Sequence, residues 1–190
     1  SIENQLIGKI GSIADTNKVT AYLVGGYVRD LIMEIDGNDI DIMVTGDGIS
    51  FARIVAKEFG RELNSVYKNF ETALLNVDEY KIEFVSARKE SYDRGSRKPL
   101  VETASLEEDI SRRDFTINSL AAGINEKNFG KVIDNFHGLE DIENKIIRTP
   151  LDPYKTFDDD PLRIMRAVRF ASRFDFKIEE NTFNAIREMR

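Results

Sequence analysis

The run Asp39-Ile40-Asp41-Ile42-Met43-Val44 constrains this chain more than any other segment, because it alternates carboxylates with apolar side chains at a period of two. That period belongs to a strand, and it sets Asp39 and Asp41 side by side on one face, about 7 Å apart along the backbone. Two carboxylates held that close repel each other. A hard divalent cation such as Mg²⁺ relieves the repulsion and takes phosphate oxygens in its remaining positions. Taken alone, an Asp-x-Asp strand is also compatible with a solvated sheet edge, so its surroundings decide between the two readings.

Around this run, short strands alternate with helices. Ile2, Leu6, Ile7, Ile10 and Ile13 recur at helical spacing and predict an amphipathic helix over 2–16, in spite of Gly8 and Gly11. Ala21 to Val24 reads as a buried strand ending at Gly25-Gly26. Helical character resumes over Tyr27 to Met33, and Asp36-Gly37-Asn38 turns the chain into the acidic strand. Asp47-Gly48 opens a helix that Gly60 ends. Strands are expected near 63–68, 71–77 and 81–86, the last two joined as a hairpin through Asn76 to Glu79. Arg88 to Val101 lacks periodicity and is expected as an exposed loop. From Ser105 helices dominate, with small strands near Lys131 to Asp134 and Ile146 to Arg148, followed by helices at 152–158, 161–174 and 179–190. The expected architecture is a mixed α/β (α+β) module over residues 1–150 and a helical region over 151–190, the chain ending inside or just after it.

Composition removes several chemistries. Without cysteine there are no disulfides, thiolate zinc sites or cysteine nucleophiles, and His137, the single histidine, is expected in a loop or cap with no catalytic partner. No apolar run reaches eighteen residues and no basic-then-apolar leader opens the chain, so neither a membrane span nor a secretory signal is expected, and the default location is cytoplasmic. A formal charge of −7 argues against a nonspecific nucleic-acid coat while leaving room for a local basic groove.

Further residues bear on the acidic strand. Gly25-Gly26, between a strand and a helix, lets backbone amides approach phosphate, and Arg29 and Asp30 follow as either phosphate-site residues or an ordinary helix ion pair. Glu83, between Ile82 and Phe84, faces away from those apolar neighbours; if its strand lies beside Asp39 and Asp41, three carboxylates converge, and otherwise it is a solvated sheet residue. Arg112-Arg113-Asp114-Phe115-Thr116-Ile117-Asn118 supplies donors for phosphate or sugar, with Asp114 and Asn118 four apart on one helical face. Beyond Pro161, Arg163, Arg166, Arg169 and Arg173 share a stripe within about 120° of arc, which either carboxylates or a polyanion would face. Asp160 and Arg163, three apart, offer an acceptor and a donor able to match the edge of a base.

In order and spacing, Leu23 to Leu31, Asp39-Ile40-Asp41, Arg112 to Asn118 and Asp159 to Phe170 resemble the class II tRNA nucleotidyltransferases, or CCA-adding enzymes, and the bacterial poly(A) polymerases that share their core. The resemblance covers roughly residues 20 to 175. It implies a DNA polymerase beta-like nucleotidyltransferase head followed by the start of an all-helical neck. It also implies Mg²⁺ on Asp39 and Asp41, with Glu83 as the third catalytic carboxylate. Nucleotide contacts would come from Gly25, Gly26, Arg29, Arg112, Arg113, Asp114, Asn118, Arg166 and Arg169, and base selection from Asp160 and Arg163. Arg88 to Pro99 would match the loop linked to the switch from C to A addition. Asp159 stands where many relatives have Glu, and the RNA-gripping body and tail are not in this chain. The implied reaction is transfer of CMP and AMP from CTP and ATP to the 3′ end of tRNA, with release of pyrophosphate. Poly(A) addition, A-only addition, a small-molecule nucleotidyltransferase and a noncatalytic nucleotide-binding module are the alternatives, and no protein partner is inferred.

Overall fold

The structure, a computed structural model, describes residues 2–87 and 106–189. Its frame is a seven-stranded sheet ordered β3-β4-β5-β2-β1-β6-β7. The strands are β1 (Ala21–Val24), β2 (Asp39–Val44), β3 (Ser65–Tyr67), β4 (Thr72–Val77), β5 (Tyr80–Ser86), β6 (Ala121–Gly123) and β7 (Val132–Ile133). All neighbours run antiparallel except β2 and β5. Parallel partners require a crossover, which here consists of helix α3 (Gly48–Glu58) and the β3–β4 pair.

Local chemistry accounts for these boundaries. The Asp47 carboxylate accepts from Ser50 N at 3.0 Å and caps α3. At the other end Gly60 adopts φ +64°, Gly60 N donates to Lys57 O and Arg61 N donates to Ala56 O, a Schellman stop. Within α3, Phe51, Ala52, Val55 and Ala56 recur on one side and are buried. They pack with Ile40, Ile42, Val44, Ile82 and Phe84 of the sheet and with Ile7 and Ile10 of α1 (Ile2–Thr16) in the main core. The sheet's other face carries Asp39, Asp41 and Met43. Met43 is covered there, with Val24 and Ala121, by Leu106 and Ile110 of α4, which spans 106–111.

A second core joins the segments on either side of residue 150. Phe115, Ile117 and Ile147 pack with Phe157 of α6 (Pro153–Asp159), Ala167 and Phe170 of α7 (Leu162–Phe174), and Ala185 and Ile186 of α8 (Glu180–Met189). β8 (Ile146–Ile147) and β9 (Lys177–Ile178) add a parallel two-stranded ladder across the same border. The two remaining helices, α2 (Gly26–Ile32) and α5 (Gly138–Glu143), lead out of β1 and precede β8.

The structure differs from the sequence expectation at three places. β6, made of Ala121-Ala122-Gly123, pairs with β1 although its small residues carry no strand signature, and β9 is too short to show a period. Residues Thr116–Asn118 form a 3-10 turn in place of a helix. The loop expected at Arg88 to Val101 lies outside the described residues. His137 heads α5 in a left-handed conformation, φ +59°, in keeping with the expected cap.

The two glycines of α1 are not equivalent. A Cβ at Gly11 would stand 2.0 Å from the Ile124 carbonyl oxygen, whereas a Cβ at Gly8 would meet nothing within 4 Å. Gly11→Ala is therefore expected to destabilise the fold by about 1–3 kcal/mol through overpacking. Gly8→Ala, on the same helix, should stabilise it by up to about 1 kcal/mol. Urea unfolding of both variants checks the contrast, and equal effects would mean that α1 does not press on the Ile124 backbone just beyond β6.

Candidate active site

Parallel pairing of β2 with β5 sets Asp41 directly opposite Glu83 and Asp39 opposite Lys81. Partners in register share a face, so the three carboxylates named from the sequence do lie on one face, with Asp41 and Glu83 as nearest neighbours. Among the described residues, however, no group of three or more acidic or histidine side chains draws close enough to hold a metal ion by itself. Burial, followed by the like charge of Glu83, pushes Asp41 up to about 6; Asp39 adds to this, while Arg113 and Lys81 oppose it. A crowded, partly desolvated carboxylate pair suits a hard cation that takes one or two carboxylates and fills its other positions with phosphate oxygens.

Arg113 sits between these acids and the glycine turn. Gly25 has φ +72°, a backbone conformation that favours glycine, and a Cβ there would lie 2.5 Å from Arg113 Nη1, which would have to shift. Gly25 N donates to Leu120 O at 3.0 Å, which closes the turn onto the segment leading into β6. Arg113 also pairs with Asp109 at 3.2 Å, and its Nε is buried without a hydrogen-bond partner.

Arg29, Asp114 and Asn118, expected as nucleotide contacts, lie buried below the surface in this structure. Arg29 donates to Asn118 Oδ1 at 2.6 Å, Asn118 Nδ2 donates to Asp114 at 2.9 Å, and Arg166 Nε donates to Asp114 Oδ2 at 2.6 Å. Arg29 also pairs with Asp30 at 2.7 Å and lies 4.8 Å from the Phe174 ring centre and 5.2 Å from that of Phe170. The result is a continuous polar chain from α2, through the 3-10 turn, to α7. Phe115, at the start of that turn, is extended, so the Asp114–Asn118 contact comes from a tight turn and not from a helical face.

The arginine stripe divides along α7. Arg163 donates to Thr156 O and Arg112 O at 3.2 and 2.7 Å, while Asp160 caps the helix by accepting from Leu162 N at 3.0 Å. Asp160 and Arg163 thus stand at the head of α7 without bonding each other's side chains. Arg169 and Arg173 lie over the rings of Phe170 and Phe174. Arg112 forms an ion pair with Glu108 and is half exposed. Arg112, Arg113 and Arg163 line a cleft of about 1090 Å³ together with Val85 and Ser86 of β5, Lys68 to Glu71, and Leu151, Lys155, Thr156 and Asp159. The sequence reading did not include the 68–71 turn in the site, and no local pattern marks Phe70 as exposed.

A mixed sheet with opposed strand carboxylates beside a glycine turn defines a nucleotidyltransferase-type head. The chain belongs to the poly A polymerase head domain family, which it matches over residues 21–148. It is 42% identical over 168 residues to an A-adding tRNA nucleotidyltransferase of Aquifex aeolicus, covering 88% of this chain and 20% of that protein. It is 39% identical over 170 residues to a CCA-adding enzyme of Enterococcus faecalis, covering 88% of this chain and 40% of the relative. A solved structure of a CCA-adding enzyme in complex with ATP superposes with a TM-score of 0.84 at 38% identity, over 97% of this chain and 41% of that one. The chain therefore spans from a fifth to under half of the length of these relatives. No helix among the described residues is long and apolar enough to cross a membrane.

Because the folded state raises the Asp41 pKa, the proton is held more tightly in the fold than in the unfolded chain. That contribution to stability is full below about pH 4 and is lost as pH rises through about 6. Asp41→Asn is expected to make the metal-free protein more stable at pH 7, on the order of 2–3 kcal/mol, and to change little at pH 4. Thermal melts at the two pH values, in chelator, test this, and an equal effect at both would remove the burial and crowding of the Asp41 carboxylate as its cause.

Proposed function

We propose that this chain is the catalytic head and the beginning of the neck of an enzyme that transfers nucleoside monophosphates from CTP and ATP to the 3′ end of tRNA, releasing pyrophosphate. The observation that carries this reading is the in-register pairing of Asp41 with Glu83, next to an arginine that packs against Gly25. Names of relatives support the substrates: CCA-adding and A-adding tRNA nucleotidyltransferases are among them, as are structures titled as complexes with ATP, with CTP and with tRNA. The division into a head over 1–150 and a helical neck over 151–190 belongs to the same proposal, supported by the sheet on one side and α6 to α8 on the other.

In this reading Asp39 and Asp41 would hold Mg²⁺, which lowers the pKa of an attacking hydroxyl and neutralises triphosphate charge. Glu83 shares that face, and burial together with the Glu83 charge raises the Asp41 pKa, a cost that a bound cation would offset. Arg113 offers its guanidinium to phosphate oxygens at the glycine turn. Arg112 and Arg163 face the nucleotide from the cleft, Asp160 from the head of α7 and Arg169 from farther along that helix. Arg29, Asp114, Asn118 and Arg166 hold that surface in shape, since their polar atoms engage one another. The location assigned to such an enzyme is cytoplasmic.

A-only addition is the second reading, favoured by the A-adding relatives from Aquifex aeolicus and Halalkalibacterium halodurans at 42% and 36% identity. Calorimetric titration with the four nucleoside triphosphates in Mg²⁺, paired with incorporation assays on an RNA minihelix, separates the two. CTP and ATP binding over GTP and UTP, with addition of both residues, is expected; binding and addition of ATP alone would select the second reading. Asp41→Ala should lower incorporation on the order of 10³-fold with an unchanged circular dichroism spectrum. Equal binding of all four nucleotides, or full activity in Asp41→Ala, would overturn the proposal.

A further inference from the structure

Phe70 is 77% exposed, the most exposed large apolar side chain among the described residues. It ends the 3-10 turn Lys68–Phe70 between β3 and β4, and the next residue, Glu71, takes a left-handed conformation at φ +49°. A non-glycine residue holds that conformation only where its neighbours enforce it. Here Ser86 N donates to Glu71 O at 3.2 Å, and Thr72 Oγ1 donates to Phe70 O at 2.9 Å. The ring is thus presented from a turn tied to β5, the strand that bears Glu83.

Its position relative to the acids follows from the ladder. Thr72 pairs with Val85 and Leu74 with Glu83, so Phe70 lies four residues along β4 from the Glu83 row, no more than roughly 13 Å along the strand direction. It lines the same cleft as Arg112, Arg163, Lys68 and Lys155. Lys68 and Lys155 form no ion pair among the described residues. Glu71, Glu108, Asp109 and Asp159 line the cleft as well, Glu108 and Asp109 being paired with Arg112 and Arg113. An exposed aromatic ring in a cleft that also carries ammonium groups matches a single-stranded polynucleotide, whose bases stack on rings and whose phosphates meet cations.

We propose that Phe70 is a stacking platform for a base near the 3′ end of the acceptor RNA, with Lys68 and Lys155 taking its backbone phosphates. The inference rests on the reading of the cleft as a nucleotidyl-transfer site and adds to it a positioning residue for the RNA, distinct from the binding of the incoming nucleotide. A ring at this distance from Asp41 and Glu83 sets where the 3′ hydroxyl stands along the cleft.

The chain contains no tryptophan, so Phe70→Trp creates a sole fluorophore of that type at the proposed contact. Titration of that variant with a short single-stranded RNA should quench its emission, while CTP or ATP alone in Mg²⁺ should not. In turnover assays Phe70→Ala should raise the KM for RNA about tenfold and leave nucleotide affinity and the melting temperature unchanged, with Phe70→Tyr restoring the KM. Quenching by nucleotide alone, absence of quenching by RNA, or an unchanged RNA KM in Phe70→Ala would overturn the inference. Loss of self-association in Phe70→Ala, read by sedimentation, would overturn it too, by assigning the ring to a contact between copies. If RNA quenches the variant but the parent chain incorporates no nucleotide, the stacking site stands and the proposed reaction fails; transfer without quenching keeps the reaction and removes the stacking site.

Discussion

The parallel pairing of β2 with β5 is the constraint on which the rest of this structure depends. All other pairs in the sheet are antiparallel and could be joined by tight turns, but this one needs a crossover, and α3 with the β3–β4 pair supplies it. The crossover buries Ile40, Ile42, Ile82 and Phe84 against α1 and α3, which leaves Asp41 and Glu83 no choice but the opposite face. A slip of one residue would bring the acids into the main core and the isoleucines out of it. Apolar packing on one face thus enforces electrostatic repulsion on the other, and the raised pKa of Asp41 registers its burial first and that repulsion second.

Repulsion of that kind persists only in a rigid frame, and a second device supplies rigidity on the side of α7. Arg29, Asn118, Asp114 and Arg166 form a buried chain in which charged groups have charged or amide partners. Breaking one member of such a chain leaves a buried charge without compensation, which costs several kcal/mol. Stacking of Arg29 on Phe170 and Phe174 adds packing to the polar contacts. α2, the 3-10 turn and α7 are thereby held together.

The same chain explains why sequence motifs and exposed site residues do not coincide here. Arg112, Arg113, Asp114 and Asn118 are close in sequence, yet Arg113 lies toward Asp41 and Gly25 while Asp114 and Asn118 turn into the buried chain. A tight 3-10 turn separates them, and a helical reading of the segment put them on a shared surface. Phe70 shows the converse: its exposure comes from a left-handed Glu71 pinned by Ser86, a contact across fifteen residues that no local pattern reveals.

Sequence alone determined the ends of β1 and β2, the helix from Asp47 to Gly60, the sharing of one face by Asp39 and Asp41, and the place of the glycine turn between strand and helix. Each of these follows from local periods, caps and backbone conformation, which are written in neighbouring residues. Only the tertiary structure decided that Glu83 stands opposite Asp41, that Ala121 to Gly123 form a strand, and that Arg29 is buried between α2 and α7. The first depends on the register of strands about forty residues apart, the second on a partner strand that small side chains allow to approach, and the third on aromatic rings more than a hundred residues downstream. Long-range pairing and burial leave no periodic trace in the local sequence, so they emerge only once the sheet and helices are packed.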